Sequence, residues 1–336
     1  MSLPPSEIPS GAMRFNSDSQ KLEYWNGSQW VQVHTAETLQ GGTRATFFGG
    51  TTPAAPAGTN IIDYVQIPTE GNAVDFGDLL DATEWCTADA ASSTRGYRAG
   101  GGNPVQDRID TWIFASTGST TDFGNLIDSR LAHGGFSNST RGIVGGGNPT
   151  NTATKNATTE YWTLQTQGTV TSFGATLNAA TSGLVGTANQ TRGIFTGGYT
   201  PTAVQVIEYV TIASTGIIAD FGSLTQPRQE PAGALANSVR GLVAGASSPS
   251  TKSIDFITMA SLGDAQDFGD LGAASGSSMG GTNNPTRGLF GGVGSPSANN
   301  VIEYVTIMTT GNSVNFGDLT VARQLGSSCS NAHGGL

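Results

Sequence analysis

Residues 140 to 149, TRGIVGGGNP, have the makings of an anion cradle. Glycines let backbone N–H groups approach a phosphate, and an arginine stands beside them. Other residues invite different chemistry. His34, His133 and His333 could hold a metal, and Cys86 and Cys329 could hold a metal or act as nucleophiles. Asp-Phe-Gly begins at Asp75, Asp122, Asp220 and Asp267, and in a kinase that tripeptide positions a magnesium ion.

Spacing removes most of these readings. The arginine of the glycine stretch recurs at Arg44, Arg95, Arg141, Arg192, Arg240 and Arg287, with separations of 51, 46, 51, 48 and 47 residues. A Phe-Gly pair recurs at Phe76, Phe123, Phe173, Phe221, Phe268 and Phe316, separated by 47, 50, 48, 47 and 48. Between them lies an apolar segment with one acid, at Asp63, Asp110, Glu160, Glu208, Asp255 and Glu303. Six units near 48 residues each therefore fill residues 43 to 336. Such a period indicates a solenoid, a propeller or an array. A phosphate cradle is normally a single device at a strand-to-helix junction. Six glycine loops, none followed by a helical pattern, are structural turns. The Asp-Phe-Gly tripeptides recur with the same period and lack the companion kinase loops.

The remaining chemistry is thin. His133 and His333 lie in matching Ala-His-Gly-Gly segments, and a metal would need a third ligand. Two cysteines are too few for a disulfide framework and have no zinc-site spacing; they are expected to be small buried packing residues. No Gly-x-Ser-x-Gly elbow stands out. No metal, cofactor or enzymatic activity is expected. One arginine and one acid per unit point to a repeated ion pair, or to hydrogen bonds with backbone carbonyls.

The elements that carry these residues are strands. In residues 191 to 238, TRGIFTGGY is a short strand ending in glycines, and VQVIEYVTIA alternates and is rich in β-branched and aromatic residues. GIIADFGSL is a third strand and EPAGALANS a fourth, built of small residues. Four short strands per unit make a β-propeller blade, with the small-residue strand at the crowded centre. The order of glycine pair, acid-bearing strand, aromatic strand and small strand resembles the kelch repeat. The resemblance departs in the fifth unit, where the glycines become VAGAS, and in Phe-Gly standing where kelch units carry an outer tryptophan. The first unit starts at its second strand, and the chain ends on an orphan small strand, QLGSSCSNAHGG. The expected fold is an all-β, six-bladed kelch-like propeller over residues 43 to 336, closed by the C-terminal strand.

Residues 1 to 42 do not repeat. GAMRFNSDSQKLEYWNGSQWVQV reads as a small β-meander: a strand over 12 to 15, then KLEYW, an NGSQ turn and WVQV, with His34–Gly42 as a linker. So small a sheet cannot bury its own core. Arg14, Phe15, Tyr24, Trp25 and Trp30 are its candidates for attachment or oligomerisation. Gly11, Arg14, Phe15, Asn16, Glu23, Trp25, Asn26, Gly27 and Trp30 fall on a pattern that resembles a segment of tailed-phage fibre and baseplate proteins. The degenerate repeat is similar to the kelch-like virion proteins of marine phages, cyanophages among them. The resemblance implies a virion-surface protein in contact with other virion proteins. It also implies a homotrimer through residues 1 to 42, since fibre proteins of this kind are often trimeric.

Charge narrows the partners further. Net charge is −10 and only 12% of residues are charged, with no basic cluster, which argues against nucleic acid and anionic membrane surfaces. No apolar run is long enough to span a bilayer, and the N-terminus has no secretory pattern. Two roles remain. One is a tail-fibre adhesion module that meets a host glycan or protein; the other is a decoration or spacer protein. The loops after the glycines vary most, and variable loops on a rigid scaffold are where recognition is built. The candidate contacts are Trp85, Arg108, Arg130, Tyr199, Arg228 and Arg323.

Overall fold

In the computed structural model, residues 8–16, 21–32, 44–86, 90–150, 154–168, 170–273, 276, 280–292 and 297–336 are described. The expected linker His34–Gly42 lies outside them, as do 151–153 and 293–296 of the variable loops. The chain divides into two compact units, Met1–Gly41 and Gly42–Leu336. Every element among the described residues is a β-strand.

Seven antiparallel sheets result. That is one more than the number of repeats, because the meander forms a three-stranded sheet of its own, Met13–Asn16, Lys21–Trp25 and Trp30–Gln32. The larger unit holds six four-stranded sheets in a propeller-like arrangement. We number them 1 to 6 by their Arg-bearing strands. Sheet 4 is typical, with Val185–Ala188, Arg192–Thr196, Val206–Thr211 and Ala219–Ser223 in that order. First strands are small and buried, as in Gly233–Ala236, and fourth strands are partly exposed, as in Ala219–Ser223. Each first strand neighbours those of the sheets on either side, and Ser327–Ser330 neighbours Ala90–Ala91 as well as Gly281–Asn283. Small residues suit this crowded centre, and larger side chains fill the widening gaps outside it.

Three devices recur from sheet to sheet. An asparagine joins the first strand to the second: the side-chain oxygens of Asn138, Asn189, Asn237 and Asn284 accept from the amides of Arg141, Arg192, Arg240 and Arg287 at 2.7–2.9 Å. This is the Asx turn. In sheet 1 the same turn is made by two separate stretches of chain. Ser327–Ser330 pairs with Arg44–Phe48, and Asn331 Oδ1 accepts from the Arg44 amide at 3.3 Å.

The second device is Phe-Gly. All six phenylalanines are buried, and five meet the ring two strand positions beyond them edge-on, as Phe221 meets Tyr209 at 6.1 Å between centroids. The glycine lets the next sheet cross closely. At Gly77 (φ 144°) an added Cβ would lie 2.4 Å from the Gly118 carbonyl oxygen, so no other residue fits there.

The third device is the repeated arginine. Arg44, Arg141, Arg192, Arg240 and Arg287 stack on Tyr64, Tyr161, Tyr209, Phe256 and Tyr304 at 4.3–4.8 Å. Each also donates to a carbonyl of the next sheet, at Phe114, Ile212, Met259, Ile307 and Ile67. In sheet 2 a threonine, Thr111, replaces the aromatic, and the Tyr97 hydroxyl instead donates to the next sheet's Leu164 carbonyl.

Candidate functional site

The six acids are all buried, and five of them accept from a backbone amide of the segment that leads into their sheet. Their charged partners are not the repeated arginines. Arg323 pairs with Asp63 at 2.7 Å, Arg130 with Glu160, and Arg228 with Asp255 at 2.5 Å. Each of these guanidinium groups also donates to at least two backbone carbonyls, as Arg228 does to Gly245 at 3.2 Å and Ser253 at 2.6 Å. All three side chains are fully buried, and burial pushes their pKa down.

The expectation that Arg130, Arg228 and Arg323 are surface contacts is therefore corrected. A guanidinium at that place is drawn inward by the buried carboxylate and the carbonyls above it. Arg108 keeps some exposure, with its charge held by Asp81 at 2.5 Å and Asp110 at 2.9 Å.

The two aromatic candidates have a different fate. Trp85 and Tyr199 line one concavity of about 460 Å³, together with Glu84, Asn103, Asn148, Lys155, Gln229 and Glu230. That volume lies within the usual range of ligand sites. Four of its lining residues, Trp85, Ala132, Gly183 and Glu230, belong to one chain of backbone hydrogen bonds. The Trp85 amide donates to Leu325 at 2.6 Å, Ala132 to Trp85 at 3.1 Å, Gly183 to Ala132 at 2.7 Å, and Glu230 to Gly183 at 3.0 Å. These five residues occupy equivalent places, all with φ between 50° and 62°. Ser182 and Tyr199 exchange both backbone hydrogen bonds, at 3.1 and 2.7 Å.

The side chains are held too. Lys155 Nζ sits 4.4 Å from the centre of the Tyr199 ring. Asn103 donates to the Glu84 carboxylate, and burial raises the Glu84 pKa. Gln229 and Ser247 donate to Glu230 at 3.2 and 2.8 Å. These polar residues were missed in the sequence because three separate sheets supply them.

Comparison with protein-family models and with curated proteins finds no match.

The other expected reactive groups are internal. Cys86 and Cys329 form no disulfide among the described residues and are buried in one apolar cluster, and burial pushes the Cys86 thiol up to about 11. His333 Nε2 lies 3.2 Å from Ser137 Oγ and 3.1 Å from the Ala91 carbonyl, and burial lowers its pKa to about 4. His133 is lowered to about 3, by burial first and then by Arg130 and Arg98. Among the described residues no three His, Cys, Asp or Glu side chains group to hold a metal, and no helix is long and apolar enough to cross a membrane.

The meander presents two faces. On one, Arg14 bonds Glu23 at 2.9 Å and lies over Trp30 at 4.2 Å, and Trp25 is buried against Trp30. Hydrogen bonds from Asn16 and Arg14 lower the Glu23 pKa. On the other, the cross-strand pairs Met13–Tyr24 and Phe15–Leu22 leave four large apolar side chains exposed. Of the attachment candidates, Phe15 and Tyr24 stand on this exposed face, and Arg14, Trp25 and Trp30 form the opposite one.

Proposed function

We propose that this chain is a non-enzymatic virion-surface protein of a tailed phage. In this reading residues 43 to 336 are a six-bladed, kelch-like β-propeller closed by the C-terminal strand, and its loop face recognises the host surface. Residues 1 to 42 attach it to other virion proteins through the Phe15–Tyr24 face, as a homotrimer. The pairing of Ser327–Ser330 with Arg44–Phe48, and the Asn331 turn, support the closure.

The observation that carries the recognition role is where the repeats stop agreeing. At the place of Trp85, four of the other sheets carry Ala132, Gly183, Glu230 and Leu325 among the described residues. At the place of Tyr199 they carry Thr51, Gly102, Asn148 and Ser248. Residues shared by all six repeats serve the architecture. The two aromatics that break the pattern line one concavity.

Gold-labelled antibody against residues 43 to 336, applied to intact particles and scored with an adsorption assay, tests this reading. Label at a fibre or tail tip with adsorption blocked supports it. Label spread over the capsid with adsorption intact replaces it with a decoration role. Deletion of residues 324 to 336 tests the closure: cooperative unfolding is expected to vanish, and an unchanged melting transition contradicts it.

A further inference from the structure

We infer that the concavity between Trp85 and Tyr199 is a saccharide site, built to take a short, uncharged glycan segment. The inference rests on the recognition role above and gives it a ligand class.

A pyranose has two kinds of surface. One face carries C–H groups and packs on an aromatic ring. The rim carries neighbouring hydroxyls, each able to donate and accept. A site for it therefore needs a ring and several planar polar groups. The concavity has both. Trp85 and Tyr199 supply rings. Asn103, Asn148 and Gln229 supply amides that donate and accept, and Glu84 and Glu230 supply carboxylates that accept.

Charge selects among saccharides. Two carboxylates and one ammonium line the concavity, and Lys155 stands on the Tyr199 ring. Phosphate- or sulfate-bearing polymers would meet Glu84 and Glu230 as like charges. A neutral sugar has no such conflict, and its hydroxyls satisfy the carboxylates as donors.

The site is also rigid before any ligand arrives. Trp85 is bonded through its backbone on both sides, to Leu325 and Ala132. It holds φ 52°, the left-handed conformation that Ala132, Gly183, Glu230 and Leu325 share at the equivalent places. Glu84 and Glu230 each have a side-chain donor fixing them. Preorganisation of this sort lowers the ordering cost of binding.

The experiment uses the full chain on an immobilised panel of neutral, amino-substituted, carboxylated and sulfated oligosaccharides, followed by calorimetry with the best binder. Binding to neutral members is expected, and Trp85→Ala and Tyr199→Ala should each weaken it at least tenfold with an unchanged melting transition. No binding across the panel, binding confined to the acidic members, or binding indifferent to both substitutions overturns the inference. Particle adsorption is read separately. If the wild-type chain blocks adsorption and Trp85→Ala blocks it equally, the saccharide site falls and the recognition role stands. If both substitutions abolish saccharide binding but the wild-type chain never blocks adsorption, the saccharide site stands and the recognition role falls.

Discussion

Sheets 1, 3 and 5 and sheets 2, 4 and 6 share a fold but not a junction. Chains enter the first group past Arg323, Arg130 and Arg228, each clamped on the acid of the sheet ahead. In the second group the sequence has no arginine there: Thr83 and Ser275 stand seven residues after Phe76 and Phe268, and Ala180 stands seven after Phe173, with Thr181 next. In sheet 2 the acid is met instead by Arg98 at 3.6 Å, from its own second strand, and by Arg108. In sheets 4 and 6 no arginine or lysine pairs with Glu208 or Glu303 among the described residues; Asn178 and Gly272 amides meet them at 2.8 Å. The repeat is thus two sheets long as well as one. In five of the six sheets the acid serves as acceptor for a backbone amide, and the arginine seven residues after Phe-Gly is an addition made at alternate junctions.

The largest expected effect is at an arginine junction. Arg228→Ala strands the buried Asp255 charge and should cost about 3–5 kcal/mol by denaturant unfolding. Arg228→Met with Asp255→Leu should recover much of that loss, because the burial cost of both ions goes with them. A loss under about 1 kcal/mol for the single variant would erase the distinction between the junctions.

Acid should act next. His133 follows Arg130 at such a junction and is buried, and His333 is half-buried at the other end of the first strands. Both stay neutral in the fold to about 3 and about 4, whereas the unfolded chain takes up protons near 6.5. The unfolded state binds more protons below that value, so stability present above pH 6.5 falls as pH drops toward 4. Each histidine contributes a slope of up to about 1.4 kcal/mol per pH unit. Glu208, raised by burial, titrates in the opposite sense and offsets part of the fall. Melting curves of the wild type, His133→Gln and His333→Gln between pH 7 and 4 check this; each variant should show a shallower slope.

Glu208→Gln is expected to have the smallest effect. Its carbonyl oxygen can still accept from Asn178, so the change should stay below about 1 kcal/mol. A loss matching that of Arg228→Ala would mean that the two kinds of junction are equally dependent on charge.

Much of this architecture is legible as spacing. Phe-Gly, the stacked arginines and the acids recur because each does the same mechanical task in at least five of the six sheets. The fate of Arg130, Arg228 and Arg323 was hidden because their loops read as solvated. The signal was present: each stands seven residues after its phenylalanine, at Phe123, Phe221 and Phe316. The concavity was legible only in its aromatics. Trp85 and Tyr199 stand out by type, but Glu84, Asn103, Asn148, Lys155, Gln229 and Glu230 are ordinary loop residues until the sheets bring them together.

The central claim is that shared residues hold the sheets and repeat-breaking residues recognise the host. Particle adsorption in the presence of excess purified chain tests it most directly, comparing the wild type with the Trp85→Ala/Tyr199→Ala double variant after matching their melting transitions. The wild type should block adsorption and the double variant should not. Equal blocking by both, or blocking by neither, would contradict the account.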